Sequence, residues 1–215
     1  MPRLIAIGDI HGGSYELVHI LRDLRIQPTD TIVTVGDYVD RGIDSKGVLD
    51  ILIQLSADCQ LISILGNHDQ MMLQAKDNPA ILQEWMAMGG RLTLDSYRPQ
   101  AEISDIPAEH FRFLESCVPY YETDTHIFTH ANYEPSLPFD HQSSDMLRWR
   151  SLWEHLPGPH VSGKTVVVGH TPHPEVLNLG HLICIDTGCG FDGLLTAFDV
   201  NTKQLWQAGE QKMSG

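Results

Sequence analysis

The feature that most constrains the fold is a repeated pattern in which a short apolar run ends in a loop carrying Asp, Asn or His. The runs read LIAI, TIVTV, LISIL, HIF and TVVV, and the loops after them contain GDIHGG, GDYVDRG, GNHD, THAN and GHTP. Short runs rich in β-branched residues are typical of buried strands. Glycine alone would indicate tight turns, but it does not account for polar side chains at every strand exit.

Helical patterns separate the first three runs. Apolar residues recur at intervals of three and four in two segments, namely Leu17, Val18, Leu21 and Leu24, and then Val48, Leu49, Leu52 and Leu55. Ser14 before the first segment and Asp44 or Ser45 before the second are the expected N-caps. Strands that alternate with helices predict parallel βαβ units with right-handed crossovers, and therefore an α/β fold. Loops that leave the carboxyl ends of parallel strands line one crevice.

We expect the polar side chains of these loops to meet in that crevice. They are Asp9, His11, Asp37, Asp40, Asn67 and His68, joined by His130 and His170 if their strands extend the sheet or face it. Each residue also has an ordinary interpretation. Asn67 or Asp69 could cap a helix that starts near His68. Asp40 and Arg41 could form a surface ion pair. Recurrence at every strand exit favours a shared metal site over separate turns.

The charge balance restricts the partners. The chain carries 28 acidic and 14 basic residues, a formal net charge of −14. Such a surface repels nucleic acid and anionic membranes, so we expect neither as a partner. An anionic substrate is compatible with this charge where bound cations reverse the sign locally.

Length and apolar content indicate a single domain over residues 1–215. The composition is 42% hydrophobic, which suffices for one sizeable core. The apolar segments are too short for a signal peptide or a membrane span, and the four cysteines have irregular spacings. We therefore expect a cytoplasmic protein with free thiols, and the sequence leaves its oligomeric state open.

The motifs resemble those of the calcineurin-like metallophosphoesterase superfamily, and within it the compact bacterial and phage-type form of the phosphoprotein phosphatase family. The family pattern GDxHG, GDxVDRG, GNHE and two later histidines reads here GDIHG, GDYVDRG, GNHD, THAN and GHTP, from Gly8 to Pro172. The stretch IDTGCG, residues 185–190, is similar to the family's closing strand region. The resemblance implies a four-layer α/β/β/α sandwich with a dinuclear metal site at the carboxyl ends of the strands.

The resemblance also implies a set of metal ligands. The first ion would bind Asp9, His11 and Asp37. The second would bind Asp37, Asn67, His130 and His170, so that Asp37 bridges the two ions and Asn67 also contacts the phosphate. A shared carboxylate can hold two cations about 3.5–4 Å apart. Mixed oxygen and imidazole ligands favour Mn²⁺, with Fe or Zn²⁺ as alternatives, over Ca²⁺ or Mg²⁺.

By the same resemblance, hydrolysis would proceed by in-line attack of a metal-bridging hydroxide on phosphorus. His68 would be the general acid that protonates the leaving oxygen, and Asp40 would orient its ring. Arg41 would bind phosphate oxygens through its planar guanidinium. A second arginine is expected from LRWR, where we favour Arg150 over Arg148.

The favoured function is that of a metal-dependent phosphatase acting on phosphorylated Ser or Thr of proteins or peptides, with phosphotyrosine as a further target. The complete GDYVDRG motif supports it, since that motif supplies both Asp40 and Arg41. The spelling GNHD is shared with bacterial diadenosine tetraphosphate hydrolases, and HAN replaces an HGG-type sequence. Hydrolysis of a dinucleoside polyphosphate is therefore the alternative. A non-catalytic metal-binding scaffold is a more distant one, because every expected ligand is present.

Two segments, 71–123 and 133–163, separate the metal motifs. NPAILQEWMAMGG predicts a helix that ends at a glycine, and YEPSLPFDHQSSD predicts an irregular loop before a short helix. Aromatic side chains in these segments could line a substrate groove, but we interpret them as packing residues. They are Trp85, Tyr133, Phe139, Trp149 and Trp153.

Overall fold

The computed structural model describes residues 2–209, and within that range it contains ten strands and seven α-helices. The strands are β1 (Leu4–Ile7), β2 (Thr31–Thr34), β3 (Gln60–Ser63), β4 (Tyr120–Glu122), β5 (His126–Thr129), β6 (Thr165–Val168), β7 (Leu177–Asn178), β8 (Leu182–Cys184), β9 (Leu195–Asp199) and β10 (Leu205–Ala208). The helices are α1 (Ser14–Leu24), α2 (Ser45–Asp58), α3 (Asn67–Ala75), α4 (Pro79–Trp85), α5 (Arg91–Tyr97), α6 (Ala108–Glu115) and α7 (Ser144–Arg148). All five apolar runs noted in the sequence are strands.

The first sheet has the strand order β10–β9–β1–β2–β3. Strands β1, β2 and β3 are parallel and are connected through α1 and α2, as the βαβ pattern predicts. Strands β9 and β10 are antiparallel additions, and Ala6 of β1 lies opposite Phe198 of β9. Strand β1 is therefore central, with an early strand on one side and a late strand on the other.

The second sheet has the order β4–β5–β6–β8–β7. Strands β5, β6 and β8 are parallel, and the edge strands β4 and β7 are antiparallel to their neighbours. His130 follows β5 and His170 lies beyond β6. These two histidines reach the crevice from a sheet that faces the first one, which is one of the two arrangements that the sequence left open.

Alternating side chains divide the apolar residues into three layers. Ile5 and Ile7 of β1 pack with α1 and α2, whereas Ala6 between them points to the second sheet. The layer between the sheets contains Ala6, Val33, Val35, Ile64, Phe128, Val167, Ile183, Ile185, Phe198 and Val200. A third layer covers the outer face of the second sheet, largely with segment 133–163 and its short helix α7. The expected α/β sandwich of two sheets is confirmed.

The predicted cap of α1 is wrong. The residue before α1 is Gly13, which offers no side-chain cap, and the Ser14 hydroxyl donates instead to Oδ2 of Asp44 at 2.6 Å. Asp44, one of the two residues expected there, is the N-cap of α2, because its Oδ1 accepts the backbone N–H of Gly47. The Ser14 hydroxyl therefore makes a tertiary hydrogen bond to Asp44 and does not cap its own helix.

The predicted helix end at the glycine pair is confirmed. The turn Met86–Gly90 follows α4, and within it the left-handed φ of Gly89, +119°, interrupts the helix before α5 begins at Arg91. A Cβ on Gly90 would lie 2.5 Å from the Trp85 indole, so packing against this ring explains the second glycine.

The packing interpretation of the aromatic residues holds for the buried rings of Trp85, Tyr133 and Phe139. Trp149 is partly buried, whereas Trp153 is 70% exposed and is not a core residue. No helix within residues 2–209 has the length and apolar character needed to cross a membrane.

Candidate metal centre

Loops from both sheets bring polar side chains to one edge of the sandwich. They follow β1, β2 and β3 in the first sheet and β5 and β6 in the second. The side chains that meet there are Asp9, His11, Asp37, Asn67, His68, His130 and His170, all buried except for the partly buried His170. Every metal ligand expected from the sequence is therefore at this edge.

Asp37 lies at the centre of two groups of ligand atoms. Its carboxylate and one nitrogen each of His11 and His68 lie within 4.8 Å of one another, and the same holds for Asp37 with His130 and His170. Nε2 of His11 is 3.4 Å from Oδ2 of Asp37, and Nε2 of His130 is 3.4 Å from Oδ1. The two oxygens therefore face different groups, an arrangement that suits a carboxylate shared by two cations.

Backbone carbonyls fix which nitrogen of each imidazole is free to bind. Nδ1 of His11 and Nδ1 of His130 donate to carbonyl oxygens at 2.9 and 2.8 Å, and Nε2 of His170 donates to the Trp149 carbonyl at 3.1 Å. Each bond places the proton on the outer nitrogen. The nitrogen that faces the centre keeps its lone pair, as a metal ligand requires.

In the second group, formed by Asp37, His130 and His170, hydrogen-bond acceptors face one another. Oδ1 of Asn67 is 3.0 Å from Nε2 of His130 and 3.1 Å from Nδ1 of His170. Since both imidazoles carry their proton on the other nitrogen, three lone pairs converge with no hydrogen between them. Such an arrangement is repulsive unless a cation lies among the atoms. The donor set therefore fits a divalent ion bound by mixed nitrogen and oxygen ligands.

Burial keeps the ligand imidazoles neutral. It lowers the pKa of His11 to about 3 and that of His130 to about 4, although the Asp37 carboxylate acts in the opposite direction. Burial also lowers the pKa of His170. For Asp37, burial raises the pKa, but attraction to the surrounding imidazoles in their protonated form outweighs it, so the pKa lies below its ordinary value. Neutral imidazole and ionised carboxylate are the forms that bind metal.

Asp9 lies beside the two groups rather than within either of them. Its Oδ2 accepts the backbone N–H of His170 at 3.0 Å. Burial, reinforced by the charges of Asp186 and Asp37, raises the pKa of Asp9. Asp186 is a buried carboxylate to which sequence reasoning gave no role, and burial raises its pKa to about 6. Buried carboxylates at this density are costly without a matching positive charge.

His68 differs from the other imidazoles because its partner is a carboxylate. Its Nδ1 donates to Oδ2 of Asp40 at 2.7 Å, and its Nε2 is buried without a hydrogen-bond partner in the described part of the chain. Burial lowers the pKa of His68, but the charge of Asp37 and the bond to Asp40 outweigh it, so the pKa lies above its usual value. A raised pKa favours the protonated form of His68 next to the Asp37 carboxylate. A general acid requires such a proton.

The Asp40 carboxylate is held by two residues that sequence reasoning did not identify as site residues. Nε1 of Trp85 donates to it at 2.9 and 3.0 Å from its two oxygens, and Oγ1 of Thr93 donates to Oδ1 at 2.7 Å. The backbone N–H of Asp40 donates to the same threonine oxygen at 2.8 Å. Both residues lie outside every motif. The only available signal was that a buried tryptophan needs an acceptor for its N–H.

Asp69 ties two motif loops together. One carboxylate oxygen accepts the backbone N–H of Asp37 at 2.8 Å and of Gly66 at 3.0 Å, and the other accepts that of Tyr38 at 3.0 Å. Burial raises the pKa of Asp69, whereas these N–H donors favour its ionised form. The sequence suggested Asp69 only as a helix cap, and the structure adds the link to the loop after β2.

The arginines differ in how close they lie to the centre. Nη1 of Arg41 is 2.8 Å from Nε2 of His11, so this guanidinium is at the edge of the first group. Arg150 is 45% exposed on its side chain and pairs with Glu154 at 3.3 Å. Arg148 is more buried, and its Nε has no hydrogen-bond partner within residues 2–209.

Strained backbone is concentrated at the residues of the candidate metal centre and its surroundings. Five of them have left-handed φ values, namely His11 (+44°), Asp37 (+52°), Asp40 (+71°), Arg41 (+66°) and His170 (+63°). This region is uncommon for residues other than glycine and costs about 1–3 kcal/mol for each. Such conformations persist only where the surrounding packing enforces them.

Two glycines allow the loops to approach the candidate ligands. A Cβ on Gly66 would lie 2.1 Å from Oδ1 of Asp37, and one on Gly169 would lie 2.0 Å from Oδ1 of Asp9. Real side chains do not tolerate such distances. Close approach, and not turn geometry alone, explains why glycine precedes the polar residue in these motifs.

The chain is similar to known proteins of one family. Residues 2–200 match the family model of the calcineurin-like phosphoesterases. A serine/threonine-protein phosphatase 1 of Salmonella typhimurium is 33% identical over 202 residues, which cover 88% of each chain. An asymmetrical bis(5′-nucleosyl)-tetraphosphatase of Oceanobacillus iheyensis is 27% identical over 226 residues, covering 93% of this chain and 89% of the relative.

A solved structure shares the architecture. The crystal structure of a candidate diadenosine tetraphosphatase superposes with a TM-score of 0.74 at 24% identity and covers 99% of this chain and 97% of its own. At this identity the likeness concerns the fold alone.

Proposed function

The chain belongs to the calcineurin-like phosphoesterase family, and we propose that within it the protein is a phosphatase acting on phosphorylated Ser or Thr of proteins, with phosphotyrosine as a further substrate. The observation that carries the proposal is the His68–Asp40 pair, with the unpartnered Nε2 of His68 beside Asp37. A seryl or threonyl alkoxide is a poor leaving group, so its departure requires a proton donor at this place. The 33% identity to a serine/threonine-protein phosphatase over 88% of both chains supports the same choice.

We propose that the centre holds two divalent ions, most suitably Mn²⁺. The proposed ligands are Asp9, His11, Asp37, Asn67, His130 and His170. Bound ions would lower the pKa of a water molecule and neutralise charge on the phosphoryl oxygens. The inward lone pairs of the three imidazoles and the two-sided carboxylate of Asp37 support this assignment.

The remaining roles belong to side chains that bind phosphate and move one proton. Arg41 donates to the phosphoryl oxygens from the side of His11, and Arg150 supplies a second guanidinium. His68 transfers its Nε2 proton to the leaving oxygen. Asp40 holds the ring in place and stabilises the protonated imidazole before the transfer, since Nδ1 of His68 donates to its carboxylate.

A second candidate function is hydrolysis of a dinucleoside polyphosphate. The GNHD spelling of the third motif and the 27% identity to an asymmetrical tetraphosphatase over 93% of the chain favour it. A phosphate ester of a nucleotide is a better leaving group than a seryl alkoxide, so this reaction depends less on the proton from His68.

Turnover of a phosphoseryl peptide and of diadenosine tetraphosphate, measured side by side with Mn²⁺-loaded protein, tests the proposal. We expect the higher kcat/KM with the peptide, and a parallel series with Zn²⁺ and Fe²⁺ tests the choice of metal. A higher kcat/KM with diadenosine tetraphosphate would favour the second function. Stoichiometric metal without turnover of either compound would indicate a non-catalytic metal-binding scaffold.

A further inference from the structure

A short hairpin between β8 and β9 places an aromatic ring beside the metal centre. The hairpin closes through Gly188, whose carbonyl accepts the backbone N–H of Phe191 at 2.8 Å and of Gly193 at 3.0 Å. The backbone of Gly190, with φ +82°, lies so close to His11 that a Cβ there would be 2.7 Å from the Cβ of His11. The hairpin is therefore packed directly on a candidate metal ligand.

The ring of Phe191 lies against the guanidinium of Arg41. The Arg41 guanidinium carbon is 4.1 Å from the ring centroid, which is a cation–π distance. The ring also meets the imidazole of His11 edge to face, with centroids 6.0 Å apart and an interplanar angle of 80°. Phe191 is nevertheless 51% exposed, so burial of apolar surface accounts for only part of the preference for a phenylalanine at this position.

We propose that Phe191 is a positioning residue that holds Arg41 ready to bind the phosphoryl group. The inference rests on the proposed function, which gives Arg41 the role of phosphate ligand. An arginine side chain loses conformational freedom when it is ordered around a ligand. A ring that orders it beforehand removes part of that loss and so strengthens phosphate binding.

The other contact of Arg41 shows why the ring matters. Nη1 of Arg41 meets Nε2 of His11, the nitrogen whose lone pair is assigned to the first ion. An ion bound there would compete with Arg41 for that lone pair. The contact with the face of Phe191 does not use the lone pair of His11. It can therefore support the guanidinium when that lone pair is bound to a metal ion.

Two substitutions separate the aromatic face from apolar bulk. Phe191→Leu keeps an apolar side chain but removes the π face, whereas Phe191→Tyr retains it. We expect the Kd of inorganic phosphate, measured by calorimetry on Mn²⁺-loaded protein, to rise about two- to fivefold in Phe191→Leu and to stay near the wild-type value in Phe191→Tyr. Metal content should be unchanged in both. Leu179→Ala, a change at a 41% exposed residue of the β7–β8 turn, is the control for loss of exposed apolar surface.

A double-mutant cycle with Arg41→Ala locates the effect. We expect Phe191→Leu to cause no further loss of phosphate affinity when Arg41 is absent. An equal loss in both backgrounds, or no loss in the single variant, would overturn the positioning role while leaving the phosphatase proposal intact. Wild-type phosphate affinity in Arg41→Ala alone would instead refute the role of Arg41 on which the inference rests.

Discussion

Four imidazoles surround Asp37, and the partner of the outer nitrogen decides what each can do. His11 and His130 donate to backbone carbonyls, and burial keeps them neutral. His68 donates to the Asp40 carboxylate and has a raised pKa. Neutral rings suit metal binding and a protonated ring suits acid catalysis, so the contrast supports the proposed division into ligands and acid within one cluster.

His68→Asn tests the role of the acid. The asparagine cannot supply a proton, so hydrolysis of a phosphoseryl peptide should slow by about 10²–10⁴-fold while both ions stay bound. The loss on nitrophenyl phosphate should be clearly smaller, because nitrophenolate leaves without protonation. Rates on both substrates and metal content measure this.

Asp40→Asn is the matched variant, since we propose that Asp40 acts through the same ring. It should change the hydrolysis rates of the two substrates in the same direction as His68→Asn does. Equal losses on both substrates with metal intact would show that His68 serves binding or positioning, and the acid would have to be sought elsewhere in the crevice.

The two arginines of LRWR give a second prediction at this scale. Arg150→Ala should raise KM for a phosphopeptide and slow turnover with metal content unchanged, because charge-assisted hydrogen bonds to phosphate are worth about 1.5–3 kcal/mol. Arg148→Ala is the comparison. A silent Arg150→Ala and a damaging Arg148→Ala would transfer the role to the more buried arginine, whose Nε has no partner in the described residues.

The side chains that meet at the candidate site could be predicted from the sequence where ligand chemistry coincides with a strand exit. Asp9, Asp37 and His130 each follow a strand directly or within a few residues, and the structure brings them together. Trp85 and Thr93 escape such reasoning because they contact Asp40 across 45 and 53 residues of chain. Their role depends on how α4 and α5 pack, which no local pattern records.

At the scale of elements, an ion pair joins the starts of β1 and β2 to the end of α1. Arg3 donates to both oxygens of Asp30 and to the carbonyls of Leu24 and Arg25. Asp30 is 2% exposed. The hydrogen bonds from Arg3 hold the pKa of the Asp30 carboxyl below its usual value, against the opposing effect of burial.

The sign of this shift gives a pH prediction. Because the folded-state pKa of Asp30 is lowered, its stabilisation is present above the unfolded-state pKa and is lost as pH falls through the folded value. Asp30→Asn should lower the free energy of unfolding by about 1–3 kcal/mol at neutral pH, with a smaller difference below about pH 4. Urea unfolding of the chelated protein at both pH values measures this. Asp23→Asn, in an exposed pair with Arg22, is the control and should change little. A difference that grew towards low pH would contradict the assignment.

The elements themselves were predictable where periodicity was strong. TVVV is β6 in full, and the first three strands and two helices occur in the predicted order. The glycine pair Gly89–Gly90 correctly predicted a helix end, because the left-handed φ of Gly89 interrupts the helix there. Gly89 also lies against the loop of Asp40 and Arg41, where a Cβ would be 3.1 Å from the Arg41 backbone nitrogen.

At the scale of the whole molecule, the centre joins the two sheets. Asp37 and Asn67 come from the first sheet and His130 and His170 from the second. Ions bound among them would link the halves of the sandwich. Any ligand that binds only the folded state stabilises it by mass action.

Chelation should therefore abolish activity and lower Tm, and Mn²⁺ should restore both most strongly. Asp37→Asn should weaken the binding of both ions together, because the Asp37 carboxylate faces both groups of ligand atoms. Thermal unfolding and metal analysis across a Mn²⁺ titration measure these effects. Full activity after chelation would refute the two-ion centre, and unchanged affinity for one ion in Asp37→Asn would refute the bridge.

The central place of β1 has a consequence for the time at which the enzyme becomes active during its own synthesis. The backbone N–H of Gly8, next to Asp9, bonds to the Thr196 carbonyl of β9 at 2.9 Å. The ribosome makes β9 after every proposed metal ligand, so the nascent chain holds a complete ligand set before it has a complete sheet. We expect a fragment of residues 1–187 to bind Mn²⁺ far more weakly than the full chain in equilibrium dialysis, and comparable affinity would contradict this. We therefore expect the proposed metal centre to form only after β9 has been synthesised.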